Sequence, residues 1–147
     1  MRIVICGGGK VGEYLAQVLL DKGNEVSIIE RNTQIADRLS MILTGRYLVI
    51  NGDGCDSKFQ ADAGVGRADV FVSTTGQDDN NLVACEIAQR VFHVCWKSVC
   101  WRRCRYEALS NLCVREMCCS MHCVLCRALP CVQHYAMIGI LVCDVLR

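Results

Sequence analysis

The chain has 147 residues, with 16 Lys and Arg against 15 Asp and Glu and a formal net charge of +1. That length suits one domain with a sizeable core, and the charge balance argues against a broad nucleic-acid surface. The most apolar segment, residues 135–145, contains Asp144 and falls short of the roughly 18 apolar residues that cross a bilayer, so a soluble or peripheral protein without a signal peptide is expected.

An apolar strand, Arg2 to Cys6, opens the chain and runs into Gly7-Gly8-Gly9-Lys10-Val11-Gly12. Gly7, Gly9 and Gly12 fit G-x-G-x-x-G. The first permits a tight strand-to-helix turn, the second lets a phosphate approach bare main chain, and the third lets helix and strand pack closely. Free N–H groups and the dipole at the start of the next helix attract the phosphate charge. Val11, Tyr14, Leu15, Val18 and Leu19 recur at helical spacing, which predicts an amphipathic helix over 11–22 that stops at Gly23-Asn24. A second strand, Val26 to Ile29, ends at Glu30, 18 residues beyond Gly12. A carboxylate at that tip can accept hydrogen bonds from both ribose hydroxyls of an adenosine and repels a 2′-phosphate, favouring NAD over NADP. Arg31 beside it softens that discrimination.

Asn32 is positioned to cap a second helix with Ile35, Leu39 and Ile42 on one face. Tyr47 to Ile50 reads as a third strand, ending in Asn51-Gly52-Asp53-Gly54. Ser57 can cap a short helix to about Ala63, and a loop follows from Gly64 to Gly66. Val70 to Ser73 is a fourth strand, followed by Thr74-Thr75-Gly76. A helix from about Asp79 to Phe92 then carries Leu82, Val83, Ile87, Ala88 and Val91 inward. Strands alternating with helices predict an α/β fold, a Rossmann-like doubly wound parallel sheet covered on both faces. Ligands bind such sheets beyond the carboxyl ends of the strands. Gly7 to Gly12, Glu30, Asp53 and Thr75-Gly76 all fall there.

Residues 1–94 resemble the N-terminal lobe of the RCK (KTN, or TrkA-N) family of NAD-binding regulators of potassium transport. The matching segments are Ile3 to Gly12, Val26 to Glu30, Gly52-Asp53, Ala63-Gly-Val65 with Ala68-Asp69, Ser73 to Thr75, and Asp78 to Leu82. The glycine pattern is shared with many dehydrogenases; the later combination is much narrower. The resemblance implies that the loop of Gly7, Gly8, Gly9, Lys10, Val11 and Gly12 holds the pyrophosphate of NAD+ or NADH. It implies that Glu30 holds the adenosine ribose and that Thr75 and Gly76 border the other half of the dinucleotide. Asp53 would lie near the adenine side, or else be a turn residue capping its own loop. Asp78 and Asp79 read as acids complementing a helix dipole, and Asn81 as a tie between that helix and the loop above the crevice. The resemblance further implies a regulatory subunit that gates potassium uptake by changing shape. Its expected partner is a membrane transporter subunit, its expected form a homo-oligomer, and its expected place the cytoplasmic side, peripheral on the inner face of the plasma membrane.

An NAD-dependent dehydrogenase needs a proton-transfer group near the nicotinamide. Residues 1–92 contain no histidine, and Tyr14 and Tyr47 fit core or helix-face positions. The expectation is therefore a binding lobe without catalysis. The alternatives are a fragment of an NAD-dependent oxidoreductase, or an ATP- or ADP-sensing member of the same family.

At Cys95 the pattern changes. Ten of the 13 cysteines and both tryptophans lie in residues 95–147, which carry 7 basic and 3 acidic residues against 9 and 12 before them. Val94 to Trp101 can still form an edge strand, with Cys100 where the family would place an arginine. Tyr106, Leu109, Leu112 and Cys113 have helical spacing, and Arg102, Arg103 and Arg105 read as a solvated basic face. Cys119, His122, Cys123 and Cys126 suggest a metal site, but with Cys118 adjacent they give no clean paired knuckle. A disulfide framework suits a cytosolic lobe poorly. The favoured reading is a divergent or out-of-frame tail, 95–147, after the lobe 1–94, with the family's C-terminal lobe not recognisable.

Overall fold

The computed structural model describes residues 1–94 and 98–100. Five strands form one sheet: β1 (Arg2–Cys6), β2 (Glu25–Glu30), β3 (Arg46–Asn51), β4 (Val70–Ser73) and β5 (Ser98–Cys100). Four α-helices alternate with them: α1 (Lys10–Asp21), α2 (Thr33–Ile42), α3 (Ser57–Asp62) and α4 (Asp78–Arg90). A 3-10 turn, Val65–Arg67, leads into β4. The strand order is β3-β2-β1-β4-β5 and every neighbouring pair is parallel, which is the doubly wound arrangement that the alternation predicts. The edge strand expected over Val94 to Trp101 is present as Ser98–Cys100, with Cys100 in register with Ser73. The Cys119/His122/Cys123/Cys126 reading, the helical spacing from Tyr106 to Cys113 and the basic face at Arg102, Arg103 and Arg105 lie outside the described residues.

Side chains of β1 alternate between two cores, as the two-residue period of a strand requires. Ile3 and Ile5 pack with Ala16, Leu19, Leu20, Val26, Ile28, Leu39 and Leu43, under α1 and α2. Val4 and Cys6 pack with Ile29, Phe71, Ala63, Ala84, Cys85 and Ala88, under α3 and α4. Each fully buried Ile, Leu or Phe contributes about 1.5–3 kcal/mol. The start of β4 is fixed to β1 by a pair of bonds between Arg2 and Asp69, one of them through the Asp69 carboxylate. The Arg2 N–H donates to Asp69 Oδ2 (2.8 Å) and the Asp69 N–H donates to the Arg2 carbonyl (2.7 Å).

Helix ends follow their caps closely. Asn32 Oδ1 accepts the Ile35 N–H at 3.2 Å, as expected. Asp56, rather than Ser57, caps α3, accepting the Lys58 N–H at 2.8 Å; the stronger acceptor stands one residue earlier.

The inward faces keep Leu19, Leu39 and Ala88 of those expected, while others turn outward. On α1 the buried residues are Gly12, Ala16, Leu19 and Leu20, while Val11 and Tyr14 are exposed, Tyr14 to 74%. On α2, Ala36 and Leu39 are buried and Ile42 is exposed. On α4 the buried set is Asn81, Ala84, Cys85 and Ala88, and Val83 and Val91 face outward. Small residues (Gly12, Ala16, Ala36, Ala84 and Ala88) let these helices lie close to the sheet, with Leu19, Leu20 and Leu39 filling the space beside them.

Candidate functional site

The crevice opens where β1's two neighbours, β2 and β4, lead their connections to opposite faces of the sheet. Cys6, the last residue of β1, lies in register between Ile29 and Ser73. The next residue, Gly7, has φ +103°, a left-handed conformation that side chains disfavour, and a Cβ there would sit 2.9 Å from the Thr74 and Thr75 main chain. Gly12 is held for a different reason: a Cβ there would collide with the Gly7 carbonyl oxygen. These two positions let α1 begin against the end of β1. The loop is tied on both sides, since the Gly7 N–H donates to the Ile29 carbonyl (2.8 Å) and Thr74 Oγ1 donates to the Gly7 carbonyl (2.9 Å).

Gly9 is the N-cap of α1, and no side chain caps that helix start. The first main-chain bond of the helix runs from the Glu13 N–H to the Gly9 carbonyl (2.9 Å). The amides of Lys10, Val11 and Gly12 therefore precede the helix ladder, where an anion can accept from them. A Cβ built on Gly9 meets nothing within 4 Å, so the main chain there faces open space. Lys10 is exposed at the same helix start.

Glu30 at the tip of β2 reaches back to the loop. Its Oε2 accepts the Gly8 N–H at 2.6 Å and its Oε1 accepts the Asn32 N–H at 2.7 Å. Each carboxylate oxygen keeps further acceptor capacity for ribose hydroxyls. Glu30 thus joins glycine loop and second strand tip before any ligand arrives. A pyrophosphate on the helix amides and a ribose on Glu30 fit these groups.

Asp53 stands in the turn after β3, where its Oδ1 accepts the Cys55 N–H at 2.9 Å. It closes its own loop, and it stands at the same carboxyl end of the sheet as Glu30. Cys6 lies against Gly54 of that turn. Burial pushes the Cys6 thiol up to about 12, and burial followed by the nearby Asp53 charge also raises the Cys55 thiol. Both thiols hold their protons at neutral pH.

The far side of the crevice is organised by Asn81, a fully buried residue of α4. Its Oδ1 accepts from Ser73 Oγ (2.8 Å), the Thr75 N–H (2.8 Å) and Thr75 Oγ1 (2.7 Å), and its Nδ2 donates to the Thr75 carbonyl (3.2 Å). The tie between helix and loop expected of Asn81 is present; it takes the Thr75 N–H, and the Thr75 hydroxyl lies within reach of both Asn81 Oδ1 and the Gln77 carbonyl (3.0 Å). Above Gly76 there is open space. Asp78 and Asp79 occupy the first turn of α4, as helix-dipole acids should. Gln60 was missed from the sequence. It lies fully buried on α3 and bonds to the Asp53 turn and to α4, and only its place on the inner face of a short helix could have signalled it.

Comparison with known proteins bears on the fold and the family. The chain is 40% identical over 91 residues to a Trk system potassium uptake protein TrkA homolog of Pyrococcus abyssi, covering 62% of this chain and 39% of that one. The chain thus spans about two fifths of that relative's length. The C-terminal domain of Shewanella denitrificans Kef, solved in an AMP-bound form, superposes with a TM-score of 0.56 at 20% identity, over 67% of this chain and 57% of that one. The Bordetella bronchiseptica enzyme WbmG, solved in complex with NAD, gives 0.52 at 20% identity, over 66% and 36%. These two likenesses concern the fold. The match to the TrkA-N domain model runs from residue 3 to residue 113, past the boundary expected at Val94, and on that extent the chain belongs to the TrkA-N domain family.

Proposed function

We propose that this chain is the NAD(H)-binding lobe of a regulatory subunit of a Trk-type potassium uptake system, working without catalysis. In this reading NAD+ or NADH lies across the carboxyl ends of the strands, on Gly7, Gly8, Gly9, Lys10, Val11 and Gly12, with Glu30 on the adenosine ribose and Asp53, Thr75 and Gly76 bordering the two ends. Binding shifts the lobe between two shapes that hold the nucleotide with different affinity, and a membrane potassium transporter subunit reads the shift. The lobe works on the cytoplasmic side, peripheral to the inner face of the plasma membrane.

The carrying observation is the uncapped start of α1 beside Gly9, with Glu30 already locked onto the adjoining loop. The TrkA relative supports the potassium-uptake context. Among the described residues Tyr47 donates its hydroxyl to the Ser40 carbonyl (2.9 Å) and Tyr14 stands exposed on α1, which suits a binding role. Exposed Val11, Tyr14, Met41 and Ile42 on α1 and α2, with Val83 and Val91 on α4, support a homo-oligomer.

A second reading, ATP or ADP as the ligand, is favoured by the closed state of the far side. The donors of Thr75 are engaged by Asn81, so a ligand that uses only the glycine-loop side needs no bond exchange there.

Calorimetric titration of the full chain with NADH, NAD+, ATP and ADP separates the readings. The expected result is NADH binding without oxidation in the presence of simple carbonyl compounds. In Glu30→Ala the affinity should fall about tenfold or more, roughly 1.4 kcal/mol, at low and high salt alike. Tighter binding of ATP or ADP selects the second reading, and oxidation of NADH selects an oxidoreductase fragment. Absence of heat and of any thermal shift with all four nucleotides sinks the proposal.

A further inference from the structure

Gln60 is 0% exposed and sits on α3. Its Nε2 donates to the Gly54 carbonyl at 2.7 Å and to the Ala84 carbonyl at 2.9 Å. The first carbonyl belongs to the turn that carries Asp53, and the second to the middle of α4. Among the described residues its Oε1 has no hydrogen-bond partner. A methionine of similar volume would fill the same space and remove the orphaned acceptor, so filling the core does not explain a carboxamide here. What the carboxamide adds is a link between two elements that do not otherwise share a backbone bond. Cys55 Sγ, donating to the Asn80 carbonyl at 3.4 Å, runs alongside it. From α4 the path continues through Asn81 to Thr75.

We propose that Gln60 is a positioning residue that couples the Asp53 turn to α4, so that a ligand at the Asp53 side of the crevice sets the position of α4. The link itself stands on the bonds above; its use by a nucleotide rests on the binding reading of the crevice. Coupling of this kind requires that the turn and the helix move together rather than open separately.

The test is amide hydrogen exchange followed by NMR on the full chain, in the wild type, Asp53→Ala, Gln60→Met and the double variant. Asp53→Ala removes the side-chain bond of the turn, from the Cys55 N–H to Oδ1, and keeps the main-chain bond from the Asp56 N–H to the residue 53 carbonyl (3.0 Å). With Gln60 in place it should speed exchange of the Ala84 to Ala88 amides about tenfold while α1 amides keep their rates, and in the Gln60→Met background the effect should shrink to about twofold. Equal acceleration in both backgrounds, or none in either, overturns the coupling. Should Gln60→Met lose its cooperative melt, Gln60→Asn shortens the reach by one methylene and gives the same comparison. A second arm adds millimolar NADH or ATP. Slowed exchange at both turn and α4 in the wild type, but at the turn alone in Gln60→Met, supports transmission, and slowing at both in both proteins overturns it. No response to either nucleotide overturns the binding reading, and the Asp53→Ala comparison still decides the coupling.

Discussion

On the β1–α1 side of the crevice, the amides of Lys10, Val11 and Gly12 sit at a helix start that no side chain caps, beside open space at Gly9. On the β4–α4 side, the N–H and hydroxyl of Thr75 both point to Asn81, which also holds Ser73. One side presents donors to an incoming anion. The other has satisfied its donors internally and must exchange a bond to use them. The contrast teaches that a row of glycines and a buried asparagine shape two sides of one crevice by opposite means, leaving bonds unmade and making them in advance.

The contrast can be broken first at Gly12. A Cβ there collides with the Gly7 carbonyl, so Gly12→Ala should destabilise the fold by about 3 kcal/mol or more, read as a lower urea midpoint. An unchanged midpoint would mean the helix start is looser than described. Next, Asn81→Ala strips the Ser73 hydroxyl and the Thr75 N–H of their acceptor, while the Thr75 hydroxyl keeps the Gln77 carbonyl, and should cost about 2–3 kcal/mol. Matching stability in this variant would erase the difference between the two sides. At neutral pH the smallest effect lies at the seam, where Cys6 ends β1 and its loss shows only in alkali. Its thiol is raised from 9.0 to about 12, chiefly by burial. The folded chain therefore keeps a proton that the unfolded chain releases above about pH 9, and stability is full below that pH. It should fall by up to about 1.4 kcal/mol per pH unit as pH rises from 9 toward 12, in urea titrations from pH 8 upward. Cys6→Ala should flatten that slope; an unaltered slope would place the alkaline loss elsewhere.

The order of elements, the glycine turn and Glu30 were legible because each depends on local rules: glycine spacing, alternation of strand and helix, and an acid at a strand tip. The inward faces were less legible. Val83 and Val91 looked like core residues by hydrophobicity, yet α4 buries Asn81, Ala84, Cys85 and Ala88. Hydrophobic periodicity weighs side-chain size, whereas close approach to a sheet selects small side chains, and the bonds of Asn81 fix the rotation. Tyr14 misled in the same way, because the close contact at Gly12 turns α1 away from it. Gln60 carries no spacing signal at all, since its partners are carbonyls of residues far along the chain. The cap of α3 shifted by one residue because Asp56 and Ser57 are both good caps and only geometry chooses between them.

Gly9 has one more consequence. Its backbone, φ −64° and ψ −174°, is one that alanine adopts without strain, and nothing stands within 4 Å of the missing methyl. Gly9→Ala should therefore leave folding intact, or improve it by about 0.5 kcal/mol through a stiffer denatured chain. In the proposed binding mode the same methyl would stand where the diphosphate lies. A single added carbon can thus silence recognition while sparing architecture, giving a deaf but well-folded lobe as the control for any experiment in cells.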